Sequence, residues 1–256
     1  MRIAALLPHD ALQVLERCAG PADTLTRVLG AVSLVRALST LAADVIVIDP
    51  SELSATDWIR ARHALQAAHV PVLVYASLEP ASVKRVLSAL ALGSPEVLLR
   101  GVDDDPAAVR RRLESVEHPT PPARVLATLA SRIEKLPESL QGVTVPLFCA
   151  GPVPRWVDSI ALASGVPRRS VDRCMLRAGL AGTAALLDAA RLARVWVPLV
   201  DGRMPQAELA LRCGYRRFRM LAVHTRRIVG VSPSHLGTRL SADEFVQRLA
   251  RHAIRH

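Results

Sequence analysis

Apolar residues follow two different rhythms along this chain. From residue 2 to residue 116, short apolar runs alternate with amphipathic stretches. The runs at 2–7, 24–28, 45–48, 70–75 and 96–99 predict strands. Val45, Ile46, Val47 and Ile48 are consecutive β-branched residues, the composition of a strand covered on both faces. Between the runs, 11–18, 33–41, 56–67, 82–92 and 106–116 read as helices. Ser54 stands where a helix cap belongs, and Asp103, Asp104 and Asp105 precede the last helix at the positive end of its dipole. Strand and helix in alternation, with short connections, predict an α/β fold: a parallel five-stranded sheet with helices on both faces.

The rhythm changes at Pro119, Pro121 and Pro122. Such a cluster fits neither interior helix nor central strand and predicts a stiff linker. A helix follows at 123–136, with Val125, Leu126, Leu129, Ile133 and Leu136 on one face and Pro137 as its stop. The rest reads as all-α. A helix at 155–164 places Trp156, Val157, Ile160, Ala161 and Ala163 inward, and Gly165 ends it. Pro167 opens a second helix. There Val171, Cys174 and Met175 face inward, while Arg169, Arg173 and Arg177 recur every fourth residue. One long helix spans 183–197, limited by Pro198. The layout then repeats: a helix at 205–213 with Ala207, Leu209 and Ala210 inward, a turn at Gly214 and Tyr215, and a helix at 216–229. That helix carries Arg216, Arg217, Arg219, His224, Arg226 and Arg227. Three parts result: a sheet domain at 1–117, a linker with its connecting helix at 118–138, and a helical domain with two helix-turn-helix units at 139–256.

Charge separates the parts further. The 256 residues carry a net charge of +10. Residues 1–149 hold 15 basic and 16 acidic groups, whereas 150–256 hold 18 and 7. A GC-rich genome would explain 31 arginines against two lysines, but not why one half is neutral. A basic domain gains affinity for nucleic acid by releasing counterions from phosphates. Only 3% of the residues are aromatic, few for the stacking platforms of single-strand or RNA binding, so the expected partner is double-stranded DNA.

Other classes fall away. Cys18, Cys149, Cys174 and Cys213 are too scattered for a disulfide scaffold or a metal site. The uncharged run at 139–154 contains Pro146, Pro152 and Pro154, so it cannot span a membrane, and the opening residues do not read as a signal peptide. A reduced, cytoplasmic protein without membrane contact is expected. No glycine-rich phosphate loop follows the first strand and no nucleophile elbow appears, so an enzyme is not expected, nor a cofactor or metal. His252 and His256 share a helical spacing, but at a terminus they are expected to be solvated.

The order of elements at 1–117, with Ala43 to Asp49 as its clearest strand, resembles the receiver domain of two-component response regulators. The resemblance implies a flavodoxin-like fold and puts Asp49 in the place of the phospho-acceptor. It also implies an acidic pair after the first strand to hold magnesium. That stretch here is Leu6, Leu7, Pro8, His9 and Asp10. Ala76 stands where the family has a hydroxyl, Arg100 where it has a lysine, and Gly101 where a proline usually follows. Phosphoryl transfer to an aspartate relies on metal and lysine to neutralise developing charge. The expectation is therefore a receiver-like domain that is not phosphorylated and serves signal or protein contact.

The helical part resembles the AraC-type DNA-binding domain. The matching residues are Ile160, Ala161, Gly165 and Ser170 in the first unit, and Ala190, Arg191, Leu192 and Ala193 in the joining helix. In the second unit they are Leu209, Ala210, Cys213, Gly214 and Tyr215, then Gly230, Ser232 and Pro233. The resemblance implies a transcription regulator whose two reading helices enter successive major grooves, about 34 Å apart. Arg168, Arg169, Ser170, Arg173 and Arg177 are the expected DNA contacts of the first, and Arg216, Arg217, Arg219, His224, Arg226 and Arg227 those of the second. Val223 and Thr225 stand where the family often has Arg and Phe. RNA polymerase and a second copy of the chain are the candidate protein partners. The alternatives are a phosphorylation-controlled regulator using Asp49, and a protein-interaction module that binds DNA only non-specifically.

Overall fold

The computed structural model describes residues 1–40, 43–77, 79–93, 95–149, 156–202 and 204–255. The chain divides into two compact units, Met1–Pro119 and Thr120–His256.

In the first unit β1 (Arg2–Leu6), α1 (His9–Cys18), β2 (Thr24–Arg27), α2 (Gly30–Thr40), β3 (Val45–Ile48), α3 (Ala55–Ala68), β4 (Val72–Ala76), α4 (Pro80–Ala89), β5 (Glu96–Leu99) and α5 (Pro106–Glu114) alternate as expected. The strands form one parallel sheet in the order β2-β1-β3-β4-β5. This is the flavodoxin-like order. All four side chains of β3 are fully buried, which is why its β-branched run has no polar interruption. Val45 and Val47 join Ile3, Ala5, Leu73 and Tyr75 under α1 and α5. Ile46 and Ile48 point to the other face by the two-residue alternation of a strand.

Helix ends differ from the sequence reading where prolines and aspartates act locally. Ser54 caps α3 by accepting from the Asp57 N–H, as expected. The aspartate run does more than favour a helix dipole. Asp105 caps α5, Asp103 accepts from the Leu99 N–H, and Asp104 takes the Tyr75 hydroxyl and the Gly101 N–H. Asp103 and Asp104 thus tie the loop after β5 to the sheet, and Asp105 starts the helix that follows.

The second unit contains α6 (Pro121–Ile133), α7 (Glu138–Thr144), α8 (Val157–Ser164), α9 (Arg168–Arg177), α10 (Thr183–Ala193), α11 (Trp196–Asp201), α12 (Gln206–Arg212), α13 (Phe218–Val229), α14 (Leu236–Arg239) and α15 (Ala242–Ala253). Pro121 and Pro122 start α6 rather than extending a linker, because the first helical turn needs no backbone donor. Val125, Leu126, Leu129 and Ile133 are buried, and α6 packs on α10 and α15 inside the second unit. The single long helix expected at 183–197 breaks after Ala193. Pro198 lies in the first turn of α11, where proline is tolerated, instead of ending the preceding helix.

α10 is the centre of this unit, with Leu186 to Ala193 all buried. α8 and α9 meet through Gly165, and α13 ends at Gly230, both left-handed at φ 65° and 85°. Side chains with a Cβ rarely adopt that conformation.

Candidate nucleic-acid interface

α9 is fixed by Val171 and Met175, both fully buried. At 100° per residue, the direction opposite that pair passes through Arg173. Arg169, Leu176 and Arg177 flank it and are exposed. α13 is fixed by Leu221, Thr225 and Val229, with the Thr225 hydroxyl donating to the Leu221 carbonyl. The direction opposite those three passes close to Val223, 57% exposed, between Arg219 and Arg226 on one side and Arg227 on the other. The centre of one outward face is therefore an arginine and that of the other a valine.

The expected contact residues do not all stand free. Arg168 is paired with Asp158. Arg227 places Nη2 3.0 Å from Oδ2 of Asp188, and His224 Nδ1 is 3.3 Å from Oδ1 of the same carboxylate. Arg216 and Arg217 precede α13 rather than lying on it, with Arg217 at the cap position. The Arg216 guanidinium sits 5.0 Å from the Trp156 ring centre. Ser170 is half-buried. Among the described residues, Arg169, Arg173, Arg177, Arg217, Arg219 and Arg226 pair with no carboxylate. The unit carries 21 basic and 9 acidic residues, against 12 and 14 in the first unit.

Several inward residues of the sequence reading turn outward. Trp156 is 56% exposed, Ala163 and Ala207 are exposed, and Cys174 is half-buried. Apolar spacing marked these short helices correctly but overstated the width of their buried stripe. Arg155 and His256 lie outside the described residues. His252 is not solvated as expected. α15 is held by a capping box between Ser241 and Glu244, and burial of its last turn pushes the His252 imidazole below its ordinary range.

Sequence reasoning missed Asp188. It is the one carboxylate on the apolar helix α10 and is shared by Arg227, His224 and, at 4.0 Å, Arg191. A lone acidic residue inside an apolar run was the available signal. Burial lowers the basicity of Arg191 and raises the Tyr215 phenol, whose ring lies 5.5 Å from that guanidinium. Burial also pushes the Cys213 thiol up to about 11, leaving it an inert core residue.

In the first unit Asp49 sits at the end of β3, fully buried. Its Oδ1 accepts from the Ser51 N–H at 2.9 Å and the Ser51 hydroxyl at 2.6 Å. Its Oδ2 lies 3.3 Å from Nη2 of Arg100. The other Arg100 nitrogen, Nη1, is 3.4 Å from Asp10. A cation from the end of β5 thus bridges Asp49 and the one acidic residue that follows β1 closely. Among the described residues, no three His, Cys, Asp or Glu side chains converge as a metal site, and no helix is long and apolar enough to cross a membrane.

No family model matches this chain, and no curated protein matches it. Among solved structures, full-length FixJ from B. japonicum is similar over 83% of this chain and 97% of that chain, with 16% sequence identity and a TM-score of 0.34.

Proposed function

We propose that this chain is a transcription regulator that binds double-stranded DNA through its second unit, by an AraC-type pair of helix-turn-helix elements. The reading is carried by one observation: α9 and α13 each turn an arginine-flanked face outward, free of carboxylates at Arg169, Arg173, Arg177, Arg219 and Arg226. Helices of this kind fit the major groove, where arginine pairs with the guanine edge and phosphates take the remaining cations. Arg216, His224 and Arg227 are engaged within the protein, so under this reading they shape the second helix before they touch DNA. Val223, at the centre of α13, supplies an apolar surface suited to a thymine methyl group. The two helices then read different bases, and the preferred site is asymmetric.

The first unit serves under this reading as a receiver-shaped contact domain that takes up no phosphate, because Arg100 already neutralises Asp49. RNA polymerase and a second copy of the chain are its proposed partners. The test is to enrich duplexes from a random library with the full chain, then measure affinity by fluorescence anisotropy. Arg173→Ala is expected to weaken the enriched site by about tenfold to a hundredfold, the value of a bidentate base contact, with an unchanged circular dichroism spectrum. An unchanged affinity rejects the assignment.

A further inference from the structure

The arginine nearest the outward centre of α13 is the one that the protein holds back. At 100° per residue, Arg227 stands about 40° from Val223, and Arg226 about 60° from it on the other side. Both are exposed. Only Arg227 is tied: its Nη2 donates to Oδ2 of Asp188 at 3.0 Å, whereas Arg226 pairs with no carboxylate among the described residues. The Asp188 side chain is 12% exposed against 59% for Arg227. The carboxylate therefore lies in the body of the unit and holds the arginine from the protein side, leaving the guanidinium charge neutralised at the DNA-facing surface.

The surroundings of Asp188 show how much charge it answers. His224 Nδ1 is 3.3 Å from Oδ1, and Nη1 of Arg191 is 4.0 Å from the same oxygen. The His252 imidazole, on α15, lies within the fields of Asp188, Arg227 and His224. Two arginines and two histidines from three helices thus surround this carboxylate.

A free arginine at this place would help every DNA sequence alike, because phosphates carry no sequence information. A complex with unrelated DNA has no fixed register and uses each cation that can reach a phosphate. A base-reading complex is fixed by its direct contacts. Withholding one cation weakens the first more than the second, and specificity is the difference between them. We propose that Asp188 is a specificity-determining residue: by neutralising Arg227 it withholds that arginine from phosphates and limits binding to unrelated DNA. The inference rests on the reading of the second unit as a DNA-binding domain and goes beyond its contact residues, since Asp188 touches no DNA itself.

Fluorescence anisotropy of the full chain tests this on the enriched duplex and on a random duplex, from about 50 to 200 mM salt. Asp188→Asn keeps the side-chain shape and removes the charge. Affinity for the random duplex is expected to rise about threefold to tenfold at the low-salt end, with a salt slope steeper by about one. Preference for the enriched duplex should fall about threefold or more. Adding Arg227→Gln to Asp188→Asn should return random-duplex affinity and slope to their wild-type values. A folded Asp188→Asn chain with an unchanged or shallower slope, weaker binding to both duplexes, or a gain that survives Arg227→Gln would overturn the proposal. If Asp188→Asn does not fold, the wild type decides. On addition of random duplex, the guanidinium NMR signals of Arg226 should move and those of Arg227 should stay; equal movement of both overturns the proposal. Absence of wild-type binding to any duplex would instead overturn the DNA reading, and this inference with it.

Discussion

Arg100 reaches across the end of the sheet and sets Nη2 3.3 Å from Oδ2 of Asp49, a carboxylate with no exposed surface. A buried charge is tolerated when it is paired and hydrogen-bonded, and Ser51 completes the set on the other oxygen. The aspartate is thereby part of the fold. Incubation with magnesium and acetyl phosphate should leave the intact mass unchanged. An adduct of one phosphoryl group, lost in Asp49→Ala, would contradict this. Arg100→Ala should cost about 3 kcal/mol by stranding the carboxylate, and Asp49→Asn in the same chain should restore part of that loss. Chemical denaturation of the three variants measures both.

The outward centre of α13 is Val223, and a thymine methyl is the base feature an aliphatic side chain can detect. Replacing thymine by deoxyuracil, position by position, in an enriched duplex should weaken wild-type binding at one step by about 1 kcal/mol. Val223→Ala should erase that difference while leaving guanine preference elsewhere intact. Equal affinity for every thymine and uracil duplex would remove Val223 from base reading.

Asp23 gives the first unit a defined acid limit. The Gly20 N–H, the Met1 amine and Arg110 all favour its charged form and hold its carboxyl down at about 2. A lowered folded pKa stabilises above the unfolded value, about 3.9, and that share is lost as pH falls through the folded value. Asp23→Asn should therefore destabilise at neutral pH and flatten the loss of stability between pH 4 and pH 2. Urea midpoints across that range check it. An identical slope in wild type and variant would show that Asp23 does not set the limit.

The alternation of strands and helices was legible because burial on both faces leaves an unmistakable β-branched run at Val45 to Ile48. The parallel sense of the sheet followed from the short connections. Less legible were features that depend on one side chain meeting another distant in sequence. Arg100 could be placed at the end of β5 but not paired with Asp49 and Asp10, which lie far from it along the chain. Arg227 and His224 were read as DNA contacts because helical spacing says nothing of Asp188 on another helix, which holds both. Trp156 was expected inside because it is apolar, whereas a cation over its face makes a rim position favourable. Arg173 fared differently: its exposure followed directly from the spacing of Val171 and Met175.

The most direct measurement is a hydroxyl-radical footprint of the full chain on an enriched duplex. Two helices with outward arginine faces should protect two patches on one side of the DNA, centred about 10 base pairs apart. Arg173→Ala should weaken one patch and Arg219→Ala the other. Absence of protection, or uniform protection that unrelated competitor duplex removes, would contradict a bipartite, sequence-reading second unit.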